Sequence, residues 1–286
     1  MIISIASGKG GTGKTTIATN LALSIGNCQL LDCDVEEPNS HIFLKPRMVE
    51  SRSVGLPVPQ VDLEKCTYCG KCAEVCQFSA IAVIKKNVLT FPELCHGCGA
   101  CSLLCPVDAI TEVDRKIGVL EIGQSDGIRF IHGILEISEA MSPPLIKAVK
   151  EAASVRRDSQ STNYSDGTTI IDVPPGTSCP VIEAVKGSDF CLLVTEPTPF
   201  GLNDLILAVE MLRILGVPFG VAVNRSDVGD DKVDGYCLRE KIPILMKIPM
   251  DRELAVAYSK GIPLVVAKPE WKTEFMQLFE DIKRMV

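Results

Sequence analysis

The chain has 286 residues, of which 46% are hydrophobic and 23% charged, enough apolar material for one large core or for a core with a small satellite. Its net charge is -7 and no basic run is longer than a pair such as Arg156–Arg157, which argues against a nucleic-acid-binding surface. No stretch approaches the ~18 consecutive apolar residues of a membrane-spanning helix. Thirteen cysteines without a secretion signal predict metal ligation or redox chemistry rather than disulfides.

Apolar, β-branched runs alternate along the chain with segments of helical length. This alternation predicts an α/β fold in which helices flank both faces of a mainly parallel sheet. The predicted strands are residues 2–6, 29–33, 169–173, 190–194, 219–223, 245–248 and 264–267. Helices are predicted over residues 16–25, from Pro143, from Pro180 and over residues 252–260.

The polarity of two further segments is informative. Residues 163–168 are polar and are predicted to form a surface loop. Apolar side chains from Trp271 to Met285 recur at helical spacing. A helix packed on the sheet is predicted there in preference to one on a membrane surface, because Glu274 and Lys283 are among charges of both signs. The strand-like N-terminus predicts an unprocessed, cytoplasmic protein.

The alternation of strands and helices is interrupted once, in a region where cysteines crowd together. We predict a main domain from residues 1–56 and 117–286, with residues 57–116 as a small inserted domain. In the insert, the cysteine pattern that starts at Cys66 is repeated 29 residues later from Cys95, and each copy continues to an Ala-Ile pair. An internal duplication is the simplest explanation.

A phosphate-binding loop is indicated directly after the first predicted strand. The sequence GKGGTGKT from Gly8 to Thr15 matches G-x-x-x-x-G-K-[ST] and leads into the first predicted helix. In such a loop Lys14 reaches the β- and γ-phosphates and the Thr15 hydroxyl binds Mg²⁺, while backbone N–H groups surround the phosphates. ATP and Mg²⁺ are the predicted cofactors. The other predicted contacts of this loop are Gly10, Gly11, Thr12, Gly13 and Thr16.

The loop has a second lysine, Lys9, and in this it resembles the deviant Walker A family, which includes MinD, ParA, the Mrp-type ATPases and the nitrogenase iron protein. The resemblance covers the chain outside the insert. It implies an ATPase that dimerises around its nucleotides, as a homodimer or with a paired homologue. In that dimer Lys9 would reach the phosphates of the other subunit as a catalytic residue. A solvated lysine is the alternative.

Acidic residues at strand ends extend the resemblance to the family's switch regions. Asp34 follows the strand 29–33 and is expected to position the attacking water, with Asp32 supporting the site. Asp172 resembles the Walker B aspartate near Mg²⁺, and Gly176 is expected to present its N–H to the γ-phosphate. The alternative for each aspartate is a residue that merely ends a strand.

The adenine site is predicted from two further strand ends. Asn224 follows the strand 219–223, where the resemblance implies an amide that reads the adenine edge through its donor and its acceptor. A hydrogen-bonded turn asparagine is the alternative. On the resemblance alone, Pro249 is expected to close over the other face of the base.

Eight cysteines form two copies of Cys-x2-Cys-x2-Cys-x3-Cys, the spacing of bacterial ferredoxins with two [4Fe-4S] clusters. In those proteins the fourth cysteine of each copy crosses to the other cluster. The predicted ligands are Cys66, Cys69, Cys72 and Cys105 for one cluster, and Cys95, Cys98, Cys101 and Cys76 for the other. Structural zinc is the competing interpretation, but zinc sites usually pair two Cys-x2-Cys motifs across a longer span. Two adjacent clusters favour electron conduction.

The other cysteines lie outside this pattern. Cys28, Cys33 and Cys191 lie in or beside predicted strands and are predicted to be buried small hydrophobic residues. Cys179 precedes a proline at a helix start, just beyond the switch that contains Gly176. A similarly placed cysteine of the nitrogenase iron protein binds a cluster shared across the dimer. A bridging cluster or transferred metal is therefore one hypothesis for Cys179, and helix capping is the other.

The combined motifs resemble the MinD-superfamily ATPases that carry a two-cluster ferredoxin domain. The first functional hypothesis is ATP-gated electron transfer through the clusters to an unidentified redox client. The second is a cluster or metal carrier of the Mrp type that delivers to an accepting client protein. The third is a positioning ATPase of the MinD/ParA kind with redox-sensing clusters. No nucleic-acid partner is expected, and a membrane partner is not favoured.

Overall fold

The structure is a computed structural model that describes residues 1–154 and 167–286. The predicted surface loop therefore lies mostly outside the described residues. The strands are β1 (Ile2–Ala6), β2 (Gln29–Asp32), β3 (Arg47–Val61), β4 (Ile81–Ile84), β5 (Asn87–Thr90), β6 (Ile110–Ser125), β7 (Ile128–Leu135), β8 (Thr169–Asp172), β9 (Phe190–Thr195), β10 (Phe219–Asn224) and β11 (Ile244–Ile248). The helices are α1 (Lys14–Ile25), α2 (Ser40–Leu44), α3 (Lys71–Val75), α4 (Ala100–Leu103), α5 (Pro143–Ser154), α6 (Cys179–Val185), α7 (Pro199–Leu215), α8 (Lys232–Glu240), α9 (Arg252–Ser259), α10 (Leu264–Ala267) and α11 (Trp271–Lys283).

The larger sheet is mainly parallel, as the alternation of strands and helices predicted. Its order is β11-β10-β9-β1-β8-β2-β7-β6-β3, and the strands from β11 to β7 all run parallel. β6 and β3 continue the sheet in antiparallel pairing at one edge. The carboxyl ends of the parallel strands meet at one side of the sheet, where ligands bind in open α/β folds.

Two parts of the sheet differ from the prediction. The last predicted strand is wrong, because residues 264–267 form α10. A four-residue apolar run does not distinguish a strand from a turn of helix, and here the Val265 N–H donates to the Asn20 side-chain oxygen of α1 at 2.9 Å. The other difference is that β3, β6 and β7 have no counterparts among the predicted strands, and in β7 the apolar run is interrupted by Arg129 and His132.

Helices cover both faces of the parallel strands and enclose two hydrophobic cores. One core packs α5, α6, α7 and α8 onto one face, and the other packs α1, α10 and α11 onto the opposite face. The predicted C-terminal helix is α11, whose apolar side lies in the second core with Phe275, Leu278, Phe279 and Ile282. Within the described ranges, no helix is long and apolar enough to cross a membrane.

Two long strands connect the main sheet to the cysteine-rich segment. β3 and β6 pair from Arg47 opposite Gln124 to Val61 opposite Ile110, and we call this pair the ribbon. The predicted domain boundaries fall inside the ribbon. Beyond its end, residues 62–109 contain α3, α4 and the two-stranded sheet of β4 and β5. The ribbon is therefore the physical connection between the main sheet and the cysteines.

Phe275→Ala should lower the thermal and urea stability of the protein, because it removes a fully buried ring from the core under α11. Large-to-small changes of this kind cost about 3–5 kcal/mol. Unfolding followed by circular dichroism measures the loss. Met285→Ala, at a side chain with 41% exposure, is the control and should change stability by less than about 0.5 kcal/mol. Equal losses in the two variants would contradict the packing of α11.

Candidate functional site

The phosphate-binding loop connects the end of β1 to the start of α1, at the carboxyl ends of the parallel strands. Gly13 precedes the helix with a φ of 99°, in the left-handed region that favours glycine. A Cβ at this position would come within 2.5 Å of the Asn224 side-chain nitrogen. Glycine is therefore required here both by the backbone conformation and by the close approach of β10.

A cleft of about 390 Å³ opens beside this loop. Its lining includes nine of the predicted nucleotide-binding and catalytic residues, namely Gly10, Gly11, Gly13, Lys14, Thr15, Thr16, Asp34, Asn224 and Pro249. The sequence patterns did not indicate the part of the lining that comes from α9, including Leu254 and Tyr258. The one sequence signal for this part was the N-cap of α9, where Asp251 accepts a hydrogen bond from the Glu253 N–H at 2.7 Å.

Three of the predicted nucleotide contacts, Thr12, Asn224 and Gly176, form hydrogen bonds within the protein. The Thr12 carbonyl accepts a hydrogen bond from the Asn224 side-chain N–H at 2.9 Å. The side-chain oxygen of Asn224 accepts one from the Arg225 N–H at 3.0 Å. Gly176 donates its N–H to the Ser7 carbonyl at 3.0 Å, so in this conformation that N–H is not directed at a phosphate. The roles of Asn224 toward adenine and of Gly176 toward the γ-phosphate stay predictions.

Two aspartates meet at the ends of adjacent parallel strands. Asp32 of β2 lies opposite Asp172 of β8, and both are buried. Asp32 accepts hydrogen bonds from the Asp34 N–H at 3.1 Å and the Ser40 N–H at 3.0 Å. The Ser40 hydroxyl donates to Asp172 at 3.1 Å. Strand ends that the sequence presented as separate motifs therefore form one buried acidic cluster.

This environment alters the acidity of every charged group in the cluster. Burial raises the pKa of Asp32 well above its ordinary value, and the charge of Asp172 adds to the effect. Burial also raises the pKa of Asp172, against the opposing effects of Thr15 and Lys14. The pKa of Asp34 is raised to about 6 by burial and then by Asp172. Burial lowers the pKa of Lys14, although the aspartates favour its charged form.

The oxygen atoms of the cluster fit a magnesium ion. Asp172 Oδ1 is buried and has no hydrogen-bond donor among the described residues, while Thr15 lines the cleft beside the phosphate-binding loop. Mg²⁺ prefers hard oxygen ligands and is commonly bound by one or two protein groups together with substrate phosphates. Asp172 and Thr15 would hold the ion against the phosphates, and its charge would relieve the repulsion between the buried carboxylates.

Lys9, the second lysine of the loop, contacts a glutamate that no sequence motif indicated. Its Nζ lies 3.6 Å from Glu196, which is also 2.8 Å from the guanidinium of Arg225. Glu196 is only 7% exposed, and the Lys9 side chain is 32% exposed. In this conformation the Lys9 side chain is therefore paired with a buried carboxylate of its own chain. The action of Lys9 on the nucleotide of a second subunit stays a prediction.

The eight ferredoxin-type cysteines line two small cavities. Cavity I is lined by Cys66, Cys69, Cys72 and Cys105, and cavity II by Cys76, Cys95, Cys98 and Cys101. Each cavity takes its fourth cysteine from the other repeat, which is the crossed grouping expected from the spacing. Cavity I also contacts Val61 and Ile110 at the far end of the ribbon. Cavity II contacts Pro57, Pro59 and Glu112, closer to the main sheet.

Backbone N–H groups approach four of these sulfurs in the same way in the two repeats. The bonds, each 3.3 or 3.4 Å long, run from Tyr68 to Cys66, from Gly97 to Cys95, from Ala80 to Cys76 and from Ala109 to Cys105. Hydrogen bonds to ligating sulfurs stabilise iron-sulfur clusters and set their reduction potentials. The donor set, its crossed grouping and these bonds fit two [4Fe-4S] clusters.

Within residues 1–154 and 167–286, no three His, Cys, Asp or Glu side chains converge as the ligands of a single metal ion do. A structural zinc ion needs such convergence, since each sulfur then lies ~2.3 Å from one ion. The preference for iron-sulfur clusters over zinc stays a prediction from the cysteine spacing.

Cys179 lies apart from both cavities. It is exposed at the first position of α6, directly after the N-cap Ser178. Cys28, Cys33 and Cys191 are buried, as predicted for small hydrophobic residues. Burial raises the pKa of the Cys28 and Cys191 thiols to about 12, which makes them poor ligands or nucleophiles.

Comparison with known proteins identifies relatives of the whole chain. A family model described as CbiA, the CobQ/CobB/MinD/ParA nucleotide binding domain, matches residues 3–264. An uncharacterized protein of Methanocaldococcus jannaschii is 34% identical over 289 residues, which cover 100% of this chain and 98% of that protein. An iron-sulfur cluster carrier protein of Aquifex aeolicus is 26% identical over 301 residues, which cover 100% of this chain and 66% of that protein.

Solved structures share the fold. The septum site-determining protein MinD of Pyrococcus horikoshii, in complex with Mg-ADP, aligns with a TM-score of 0.59 and 21% sequence identity. The alignment covers 99% of this chain and 96% of that one. This likeness agrees with the mainly parallel α/β sheet.

Asp34→Asn should abolish ATP hydrolysis and retain ATP binding, because an amide cannot accept a proton from the attacking water as a carboxylate can. The nucleotide-free variant should also be more stable than the wild type at about pH 7.5. The raised pKa means that the folded state binds more protons than the unfolded state between the ordinary value of 3.8 and about 6. Wild-type stability therefore loses the contribution of Asp34 as the pH rises through that window.

Thermal unfolding from about pH 4 to pH 8 tests the stability part of this prediction. The advantage of Asp34→Asn should shrink as the pH falls below about 6 and vanish near 3.8. Glu274→Gln, on the exposed side of α11, is the matched control and should follow the wild type. A constant difference between Asp34→Asn and the wild type at all pH values would contradict the raised pKa.

Glu196→Gln should increase the ATPase rate per chain at low protein concentration. The change removes the carboxylate that holds Lys9, so less free energy is needed for Lys9 to reach the nucleotide of a second subunit. ATPase rates across a dilution series, with sedimentation velocity in ATP, measure the effect. Glu240→Gln, which removes an ion pair with Arg213 away from the cleft, should leave the curve unchanged. A rate that falls in Glu196→Gln would show that the glutamate supports catalysis instead.

Proposed function

Since the chain belongs to the CbiA family of CobQ/CobB/MinD/ParA nucleotide-binding domains and is a P-loop ATPase, we propose that ATP binding and hydrolysis control two [4Fe-4S] clusters in its cysteine-rich segment. In this proposal the clusters pass electrons to a partner protein. The observation that carries it is the crossed grouping of the eight cysteines around two cavities. Such a grouping is the ligand arrangement of two-cluster ferredoxins.

The nucleotide side of the proposal rests on the cleft beside the phosphate-binding loop. Lys14 would neutralise the β- and γ-phosphates, and Thr15 with Asp172 would hold Mg²⁺. Asp34, whose pKa is raised to about 6, is near the acidity that suits a group which orients and deprotonates water at neutral pH. Lys9 would complete the site across a dimer of two copies of this chain or of this chain with a homologue.

The adenine base would lie at the far side of the same cleft. Asn224 and Pro249 both line it. One N–H of the Asn224 amide is used by the Thr12 carbonyl, which leaves its second N–H for a ring nitrogen of the base. Tyr258, which also lines the cleft, adds an aromatic ring suited to a planar ligand.

The cysteine side of the proposal rests on the placement of the two cavities along the ribbon. When bound, the clusters would supply reversible one-electron chemistry. Cavity II contacts Pro57 and Pro59, and cavity I contacts Val61 at the ribbon end. The cavity I cysteines are thus farther from the ATPase core, although each cavity has one exposed cysteine, Cys69 in cavity I and Cys98 in cavity II. We infer that a redox partner docks at cavity I, while cavity II faces the nucleotide-dependent part of the chain.

A second candidate function is delivery of an iron-sulfur cluster or a metal to an accepting protein. It is favoured by the similarity to the iron-sulfur cluster carrier protein of Aquifex aeolicus, which covers this whole chain. Cys179 supports it too, since an exposed cysteine at the start of α6 is accessible to a second subunit and to a client. In this alternative the eight other cysteines bind stable clusters, and the transferred group occupies a site that two Cys179 residues share. We place either activity in the cytoplasm.

Electron paramagnetic resonance of the anaerobically purified, dithionite-reduced protein tests the first function. We expect about eight iron atoms per chain and a spectrum or reduction potential that changes when Mg²⁺ and ATP are added. Cys105→Ser should lose about half of the iron, because it removes the crossed ligand of cavity I and leaves cavity II complete. Full iron with no response to ATP would contradict gating.

Cys179→Ser is the matched cysteine control for that experiment. Under the electron-transfer proposal it keeps all of its iron and its response to ATP. Under the carrier alternative it keeps the iron of the two cavities and loses transfer of ⁵⁵Fe to an apo-acceptor. Zinc in place of iron in the wild-type protein would contradict both proposed functions.

A further inference from the structure

The short helix α2 lies between the nucleotide cleft and the ribbon and contacts both. Its first residue, Ser40, donates hydrogen bonds to Asp32 and Asp172. At its other end, the Leu44 carbonyl accepts a hydrogen bond from the Ser125 hydroxyl at the end of β6. The chain then continues from α2 almost directly into β3. One five-residue helix is therefore attached to the acidic cluster and to both strands of the ribbon.

α2 also contacts the base side of the cleft. The ring of Phe43 packs on Tyr258 of α9 with centroids 4.7 Å apart, and Tyr258 lines the cleft. A ligand that moves either Ser40 or Tyr258 therefore acts on α2 itself or on a residue packed against it. Because protein interiors are close-packed, such a displacement is passed on to whatever lies on the other side of the helix.

Beside α2, a row of polar side chains crosses the sheet from the acidic cluster to the ribbon. Asp172, Asp32, His132 and Glu121 are direct neighbours on β8, β2, β7 and β6. Neighbouring residues of paired strands project from the same face, about 5 Å apart. The row therefore runs from the magnesium ligand proposed above to the ribbon without leaving that face of the sheet.

His132 is the buried centre of this row. It is 2% exposed, and its Nε2 lies 3.1 Å from the Glu121 carboxylate. With Nε2 as the donor, Nδ1 is left as an acceptor, and this atom is buried without a hydrogen-bond partner in the described part of the chain. A buried polar atom without a partner raises the free energy of the arrangement that contains it.

The missing partner of His132 is close by on α2. The rings of His41 and His132 have centroids 5.6 Å apart and are tilted by 56°. His41 Nδ1 is likewise buried and without a partner among the described residues. A small movement of α2 would bring a ring N–H of His41 to His132 Nδ1 and satisfy both atoms. A second arrangement of α2, with His41 on His132 in place of Ser40 on Asp172, would therefore exchange one hydrogen bond for another.

We propose that α2 is a two-position switch in which Mg²⁺ and ATP at Asp172 weaken the hydrogen bond of the Ser40 hydroxyl and release α2, and His41 then engages His132 and, through Glu121, shifts the ribbon that carries the cysteines. This inference rests on the proposed function, since it names the route by which nucleotide reaches the cysteine-rich segment. The ligand acts by differential contact, because a metal ion at the free Oδ1 of Asp172 would withdraw charge from the carboxylate and weaken the hydrogen bond that Ser40 donates to Oδ2. His41, His132 and Glu121 are positioning residues and do not touch the nucleotide.

Hydrogen-deuterium exchange of the full, cluster-loaded protein tests the switch. Peptides from residues 47–61 and 110–125 should change their exchange rates when Mg²⁺ and a non-hydrolysable ATP analogue are added to the wild type. His41→Phe keeps the ring and its packing but removes the donor, and Glu121→Ala removes the acceptor on the ribbon. Both variants should lose the nucleotide-dependent change and should bind the analogue no more tightly than the wild type does, because the coupling between nucleotide and switch is reciprocal.

Two further variants separate the switch from a merely structural role. Glu121→Gln keeps an oxygen acceptor for His132 and should restore part of the response that Glu121→Ala loses. Glu136→Gln is the matched control, because Glu136 forms an ion pair with Lys116 of the same strand β6, away from the polar row. It should respond to nucleotide as the wild type does.

The outcomes distinguish this inference from the proposed function. No change in the wild-type ribbon on nucleotide addition would overturn both. A wild-type response that persists undiminished in His41→Phe and Glu121→Ala would overturn the α2 switch and leave ATP control of the clusters standing. A response lost equally in Glu136→Gln would assign the effect to ribbon stability and would also overturn the switch.

Discussion

The structure depends most on two buried carboxylates, Asp32 and Asp172, that lie opposite each other at the ends of neighbouring parallel strands. Like charges this close repel strongly when water is excluded. The surrounding groups offset that repulsion. Ser40 donates hydrogen bonds to both carboxylates, and Lys14 contributes a buried cation. A magnesium ion would complete the neutralisation. The nucleotide cleft is thus a place where the fold stores unfavourable electrostatic energy that a bound metal nucleotide would release.

That constraint determines how the chain continues. The donor that bridges the two carboxylates, Ser40, begins α2, and α2 leads directly into the ribbon. The ribbon belongs to the main sheet through the pairing of β6 with β7, so the cysteine-rich segment is attached by continuous β structure rather than by a flexible linker. Motions at the acidic cluster therefore have a short, packed route to the cysteines. An iron-sulfur function controlled by ATP requires such a route.

Much of the candidate site was predictable because its motifs are local. The phosphate-binding loop needs a fixed order of glycine, lysine and threonine, and the cysteine repeats need fixed spacings, so both can be recognised without a structure. Other parts of the fold could not be predicted in this way. The short run 264–267 was predicted as a strand and forms α10, since apolar character alone does not distinguish the two. Strand β7 was missed because Arg129 and His132 interrupt its apolar pattern.

The class of fold, the phosphate-binding loop and the two cysteine repeats could be predicted from the sequence, because strand–helix alternation, a fixed order of glycine, lysine and threonine, and fixed cysteine spacings are all patterns along the chain. The tertiary structure alone decided that Glu196 holds Lys9, that Tyr258 lines the cleft, and that His132 stands between the acidic cluster and Glu121. These contacts join residues far apart in the chain. They arise from strand order, register and helix packing, which depend on the free energy of the whole molecule and leave no local pattern.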